Sequence, residues 1–132
     1  MNTTRLGELG ELVAAAYLCM KGLRVLDRRY RSHGCEVDVV AADRGTLVFV
    51  EVKLRGETAK APGRRSVDRT KQRRIVRAAL AYLKERRHAS RRVRFDVVEI
   101  RLLRRGLGLE HIPDAFRPPA HGGRWSSCWR RS

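Results

Sequence analysis

Residues 46–55 read TLVFVEVKLR, a run with the β-branched and aromatic content of a buried strand, yet Glu51 and Lys53 sit inside it. A charge in a core strand is costly unless it is paired or binds an ion. Side chains alternate along a strand, so Glu51 and Lys53, two apart, share a face with Leu47 and Phe49. That face begins apolar and turns charged toward its end, as in a strand running out of a core into a cleft. The tripeptide Glu-x-Lys decides little alone, because a surface strand bearing an ion pair has the same pattern. The preceding apolar run, EVDVVAA, repeats it with Glu36 and Asp38. Asp43-Arg44-Gly45 between the runs is a hairpin signal. Pairing strands at 35–42 and 46–54 would collect Glu36, Asp38, Glu51 and Lys53 on one charged face. Carboxylates so crowded repel one another unless a cation lies among them. Oxygen ligands favour Mg²⁺ or Mn²⁺ over zinc, and His33, His88, His111 and His121 are too dispersed to form a zinc site. Two carboxylates on a hard cation, with an ammonium beside them, suit phosphodiester hydrolysis. The ammonium would steady the attacking water or the developing phosphorane charge.

The formal net charge is +16, unevenly spread. Residues 1–50 carry 7 Lys/Arg against 6 Asp/Glu, residues 51–94 carry 16 against 4, and residues 95–132 carry 7 against 4. The excess follows the Glu-x-Lys strand, which is the electrostatic footprint of a polyanion partner such as nucleic acid. Arginine outnumbers lysine 25 to 5. A lysine inside an apolar strand of such a chain suggests a compact charge with a tunable pKa, which arginine cannot supply. At 132 residues one domain is expected, and no apolar run approaches membrane-spanning length. The N-terminus lacks the apolar stretch of a signal peptide. Cys19, Cys35 and Cys128 show neither metal-ligand spacing nor a disulfide framework, so a reducing cytoplasm is the expected location.

Along the chain, residues 4–21 read as an amphipathic helix capped by Thr4 and stopped by Gly22. Its apolar stripe is Leu9, Leu12, Val13, Ala16, Tyr17 and Met20. Gly7 and Gly10 cost about 1 kcal/mol each in a helix, which suggests close packing against a neighbour or ligand. Glu11 lies beside Gly10, and packing of this helix over the sheet would let it reach the metal. Strands are expected at 23–30, 35–42, 46–54, 92–103 and 107–112. Residues 55–66 read as a mobile loop. A helix over 67–88 buries Ile75, Ala78, Ala79, Tyr82 and Leu83 and turns Lys71, Arg73, Arg74 and Arg77 away. The order is α-β-β-β-α-β-β in one α/β layer over residues 1–116. Residues 117–132 read as a disordered basic tail in which Trp125 and Trp129 could stack on bases.

Taken in order, RLGELGELVAAAYL, GCEVDVVA, LVFVEVKLR, KQRRIVRAALAYL, RFDVV and HIPDAF resemble the YraN-like family of bacterial proteins over about residues 5–116. That family is similar to archaeal Holliday-junction resolvases and to the PD-(D/E)xK superfamily. The resemblance implies a restriction-endonuclease-like α/β core, a mixed central sheet flanked by helices. It also implies roles: Asp38 as the central metal aspartate, Glu51 as the second carboxylate, Lys53 as the catalytic lysine and Glu11 as the helix-borne glutamate. Glu36 matches the Glu of the family's G-E-x-D motif. Arg5, Gly7, Gly10, Lys71, Arg94, Phe95 and Asp96 match positions that are structural or touch DNA. The sequence departs from the pattern at Cys35, where the family has Gly. Either a left-handed backbone there strains the cysteine, or Gly34 carries the turn instead.

The implied activity is Mg²⁺-dependent (or Mn²⁺-dependent) cleavage of DNA, including branched structures, with Lys71, Arg73, Arg74, Arg77 and loop 55–66 on phosphates. DNA is favoured over RNA as the partner, no membrane is involved, and a symmetric four-way junction would call for a homodimer. The rival is a nuclease fold that grips nucleic acid without cleaving it. A weaker third reading is an accessory subunit meeting an acidic protein.

Overall fold

Two tight hairpins build the first half of the sheet. Strands β1 (Arg24–Ser32), β2 (Cys35–Asp43) and β3 (Thr46–Gly56) form an antiparallel meander. The joining turns are His33-Gly34, with φ of 50° and 77°, and Arg44-Gly45, with φ of 49° and 88°. Positive φ at both turn positions matches the twist of paired strands, and glycine at the second makes it cheap. Gly34 therefore carries the turn, and Cys35 opens β2 as an ordinary buried strand residue. The expected alternative of a strained cysteine is not realised. The chain then passes through α2 (Arg69–Glu85) to β4 (Arg92–Leu103), which lies parallel to β3 with Thr46 opposite Arg92. Strand β5 (Gly106–Phe116) returns antiparallel along β4, and α1 (Thr3–Met20) precedes them all. The computed structural model describes residues 3–56, 67–86 and 92–118. Its sheet order is β1-β2-β3-β4-β5, so the α-β-β-β-α-β-β order and mixed sheet flanked by helices are as expected.

Alternation along β3 splits the core into two layers. Leu47 and Phe49 meet Ile75, Ala78, Ala79 and Tyr82 of α2 on one face. Val48 and Val50 meet Ala14 and Leu18 of α1 on the other. On the α2 side, Tyr30, Tyr82, Phe49, Phe95 and Phe116 form a chain of ring contacts with centroids 5.0 to 5.7 Å apart. Each buried ring contributes on the order of 1.5–3 kcal/mol. The start of α2 is fixed by Asp68, whose carboxylate accepts the Lys71 backbone N–H at 2.8 Å. The buried stripe of α2 is as expected, with Val76 added and Leu83 at its margin. At the end of α1, Leu23 N–H reaches Leu18 C=O and Gly22 N–H reaches Cys19 C=O, with Gly22 at φ 96°. Those two bonds close the helix as a glycine-dependent stop.

Helix α1 departs from the expected stripe. Leu9 and Leu12 are exposed and Met20 is 86% exposed, while Gly10, Glu11, Ala14, Ala15 and Leu18 face inward. Residues 12–18 are apolar on nearly every side, so periodicity cannot select a face, whereas the sheet admits the one lined by small residues. A Cβ at Gly10 would make ordinary contacts with Ile100 and Leu54 at 3.7 and 3.8 Å and one at Gly7 would meet nothing, so close packing against the protein demands neither glycine. Strand β5 runs four residues past its expected end.

One charged group is wholly structural. Asp96 of β4 is 0% exposed and accepts from Arg94 at 2.9 and 3.0 Å, from the Asp114 backbone N–H at 2.9 Å and from His111 Nε2 at 2.7 Å. Lys21 Nζ donates to His111 Nδ1 at 2.8 Å, which sets the tautomer that donates to Asp96. Pro113, Asp114 and Ala115 bulge around Asp96, and Asp114 takes a φ of 52° to aim its N–H. RFDVV and HIPDAF are thus two halves of one buried network.

Cys19 and Cys35 are free thiols. Among the described residues no helix is long and apolar enough to cross a membrane. The Thr4 cap, most of the loop at 55–66, the last turn expected at 87–88 and the tail beyond Pro118 with Trp125, Trp129 and Cys128 lie outside the described residues and side chains.

Candidate metal centre and nucleic-acid interface

The site forms where β2 breaks its own alternation. Val37 packs in the α2-side core and Val39 in the α1-side core, although they are two apart. The β1–β2 register skips Arg29 and Asp38, between Tyr30↔Val37 and Arg28↔Val39, and Arg29 adopts φ 56°. Pairing of β2 with β3 likewise reaches only to Val39↔Val50. Beyond it the strands splay, and Asp38 Oδ2 takes the Val52 N–H at 2.7 Å in place of a ladder carbonyl. Asp38 therefore stands in a fork and reaches both faces of the sheet.

The expected single charged face is accordingly divided. Toward α1, Glu11, Glu36 and Asp38 bring carboxylate oxygens within 4.8 Å of one another. Toward α2, Glu51 is 6% exposed, hydrogen-bonds to Asp38, and lies 3.4 Å from Lys71 Nζ. Lys53, two residues further along that face, brings its ammonium near that of Lys71, and the two like charges oppose each other. Asp38 joins the two halves.

Electrostatics set this cluster apart from an ordinary ion-pair network. Burial, then the hydrogen bond and charge of Asp38, push the Glu51 carboxyl up to about 9 against the pull of Lys71 and Lys53. Burial and the Asp38 charge lift Glu11 to about 7, with Arg29 opposing. Lys53 is lowered, by burial first and then by Lys71. Burial also acts to lower Lys71, but the charges of Glu51 and Asp38 outweigh it and the net shift is upward. Burial and crowding thus disfavour charge on both carboxyls, and a divalent cation would remove the repulsion. The donor set fits such a cation. Four carboxylates offer hard oxygens, and Glu11 Oε1 is buried with no hydrogen-bond partner among the described residues, although Arg29 Nε lies 3.4 Å away.

Two residues of this site were not anticipated. Arg29, turned by its left-handed backbone, donates to Glu8 at 2.9 Å and reaches Glu11. No periodicity marks it. Spacing sets Lys71 with the basic face of α2, yet it lies beside Glu51. Lysine's rarity in this arginine-rich chain, already applied to Lys53, would have flagged it. Arg73, Arg74 and Arg77 do lie on the exposed face of α2, and Arg77 lines a cavity of about 710 Å³ with His33, Cys35 and Lys84.

The sequence that builds this mixed sheet has bacterial relatives. A UPF0102 protein of Trichlorobacter lovleyi is 45% identical over 113 residues, covering 83% of this chain and 88% of its own. One from Geobacter metallireducens is 40% identical over 116 residues, covering 88% and 95%. One from Syntrophus aciditrophicus is 44% identical over 112 residues, covering 85% and 88%. The family profile described as "Uncharacterised protein family UPF0102" matches residues 10–100, and the chain belongs to that family.

Proposed function

We propose that this protein is a divalent-metal-dependent nuclease acting on DNA, with branched structures among its substrates. The observation that carries the reading is the fork at Asp38. It gathers Glu11, Glu36 and Asp38 within 4.8 Å, with Glu51 bonded to Asp38 and Lys53 beside Glu51. Asp38, Glu51 and Glu11 would hold Mg²⁺ or Mn²⁺, with Glu36 adjoining. When bound, such an ion supplies Lewis acidity toward water and phosphate oxygen. Lys53, partly desolvated, hydrogen-bonds the attacking water or a phosphate oxygen as charge builds there. Arg29 holds Glu11 in place from the β1 side. Arg73, Arg74 and Arg77 receive phosphates along α2 and draw the polyanion in. The free thiols of Cys19 and Cys35 support a reducing, cytoplasmic setting.

A second reading has one observation in its favour. The Lys71 ammonium already lies 3.4 Å from Glu51 and could satisfy that carboxylate without a metal. The protein would then bind nucleic acid through a nuclease fold and leave it intact. Labelled duplex, single-strand, flap and four-way substrates, each with Mg²⁺, Mn²⁺ or chelator, decide between the two. Metal-dependent cleavage lost in both Asp38→Asn and Lys53→Ala, with DNA binding retained, supports the nuclease. Tight binding without cleavage on every substrate supports the binding module. Cleavage that survives both substitutions removes this site from the reaction.

A further inference from the structure

Past Lys53, the same face of β3 continues to Arg55, and the parallel strand β4 sets Glu99 beside Lys53 and Arg101 beside Arg55. Two arginines at register partners on one face repel each other, and such pairs are destabilising unless something compensates. Here the compensation is Glu99, whose side chain is 4% exposed and lies 2.6 Å from Arg101 and 3.7 Å from Arg55. Lys53 adds a further positive charge in the adjoining row. Glu110, opposite Glu99 on β5, is exposed at the edge of the sheet. Arg55 Nε and Glu99 Oε2 are buried with no hydrogen-bond partner among the described residues. Buried polar atoms in that state call for an explanation. A phosphate oxygen would satisfy the Arg55 Nε–H, while Glu99 Oε2, itself an acceptor, stays 3.7 Å from Arg55 and serves to position the guanidiniums.

We infer that Arg55 and Arg101, held side by side by Glu99, form a fork for one phosphodiester of the nucleic-acid backbone, next to the one that meets Lys53. Planar guanidiniums suit bidentate phosphate contacts, which explains arginine here and lysine at the reacting centre. Two residues along β3 advance about 6.6 Å, so Glu51, Lys53 and Arg55 step along the strand as a backbone passing over them would. Their half-buried setting strengthens each contact relative to the exposed arginines of α2. This assignment shares the nucleic-acid part of the proposed function and does not require cleavage.

The test is equilibrium binding of short labelled single-stranded and duplex DNA, with chelator present, over a range of salt. Arg55→Lys and Arg101→Lys keep the charge and lose the fork, and each should weaken binding about three- to tenfold. Arg55→Ala and Arg101→Ala should each lower the salt slope by about 0.9, and the double variant by no more, because both residues grip one phosphate. Glu99→Gln removes a negative charge near DNA, so charge alone predicts tighter binding, whereas loss of the fork predicts weaker binding. Melting curves identify any variant that fails to fold, in which case the lysine pair decides. Unchanged affinity in both lysine variants, tighter binding by Glu99→Gln, or additive loss in the double variant would overturn the fork. Wild-type protein that binds no DNA overturns it together with the nucleic-acid reading. Wild-type protein that binds but never cleaves removes the nuclease and leaves the fork in place.

Discussion

Asp96 and Glu51 are buried carboxylates on the two central strands, β4 and β3, and their surroundings could hardly differ more. Asp96 receives Arg94, His111 and the Asp114 N–H. Burial works against its charge, but the hydrogen bonds of His111 and Arg94 outweigh it and hold the carboxyl below its usual range. Glu51 faces a second carboxylate, with the ammoniums of Lys71 and Lys53 opposing it, and its carboxyl still rises to about 9. The first arrangement is complete as it stands and serves the fold. In the second, burial and a facing carboxylate outweigh two ammoniums, and a buried charge so placed is costly. Shared burial therefore does not separate a structural network from a functional one; the balance of partners does.

The largest effect expected from this comparison is at Asp96. Asp96→Asn removes the charge on which Arg94, His111 and the Asp114 N–H converge, leaving Arg94 with Asp43 at 3.2 Å, and should cost about 3–5 kcal/mol in denaturant unfolding. A loss under about 1 kcal/mol would mean that the network is not structural. Next is metal. At one hundred times its dissociation constant, Mg²⁺ or Mn²⁺ should stabilise the wild type by about 2.7 kcal/mol, and Asp38→Asn should lose most of this gain. Equal stabilisation of both proteins would place the ion elsewhere.

Glu51→Gln should raise stability by about 0.5–2 kcal/mol at neutral pH in chelator while abolishing the metal response, the trade expected where a site is kept strained for function. The two carboxylates also predict opposite pH slopes. A raised carboxyl favours the folded state below its ordinary pKa of 4.5. Glu51 should therefore erode stability as pH climbs from about 4.5 to about 9, and Glu11 from about 4.5 to about 7. A depressed carboxyl acts the other way, so Asp96 contributes stability that is lost as pH falls below its ordinary value of 3.8 and through its folded pKa. Unfolding midpoints of Glu51→Gln and Asp96→Asn across pH, each against wild type, check both limbs. The smallest expected effect on stability is at Arg73 and Arg74. Reversal to Glu should change folding by less than about 0.5 kcal/mol, yet lower the DNA salt slope by about 2.

Much of the fold was legible because local signals agreed with one another. The stripe of α2 has one apolar face, and Arg44-Gly45 stands between two alternating runs as hairpin turns do. Helix α1 was legible as a helix but not as a face, because Leu9, Leu12 and Met20 offer an apolar side as good as the one that packs. The members of the site were legible as residue types. Its arrangement was not, because alternation puts Glu36 and Asp38 on one face, whereas the strand changes faces between Val37 and Val39. A left-handed Arg29 leaves no trace in composition. Lys71 was hidden among the arginines that follow it.

The parallel seam between β3 and β4 has a consequence for how the molecule is assembled. Every other neighbouring pair in the sheet is joined by a two-residue turn, and such hairpins close in microseconds. The seam joins Thr46 to Arg92 across the whole of α2, so its contacts come only after a long loop has been closed. Glu11, Glu36, Asp38, Glu51 and Lys53 all precede that loop. The N-terminal helix and meander can bring the acidic groups together early, at a cost in repulsion, before α2 delivers Lys71 and β4 delivers Glu99 and Arg101. Folding rate should therefore respond to divalent cation if the early cluster binds it, since an ion that relieves repulsion in the first half speeds the search for the second.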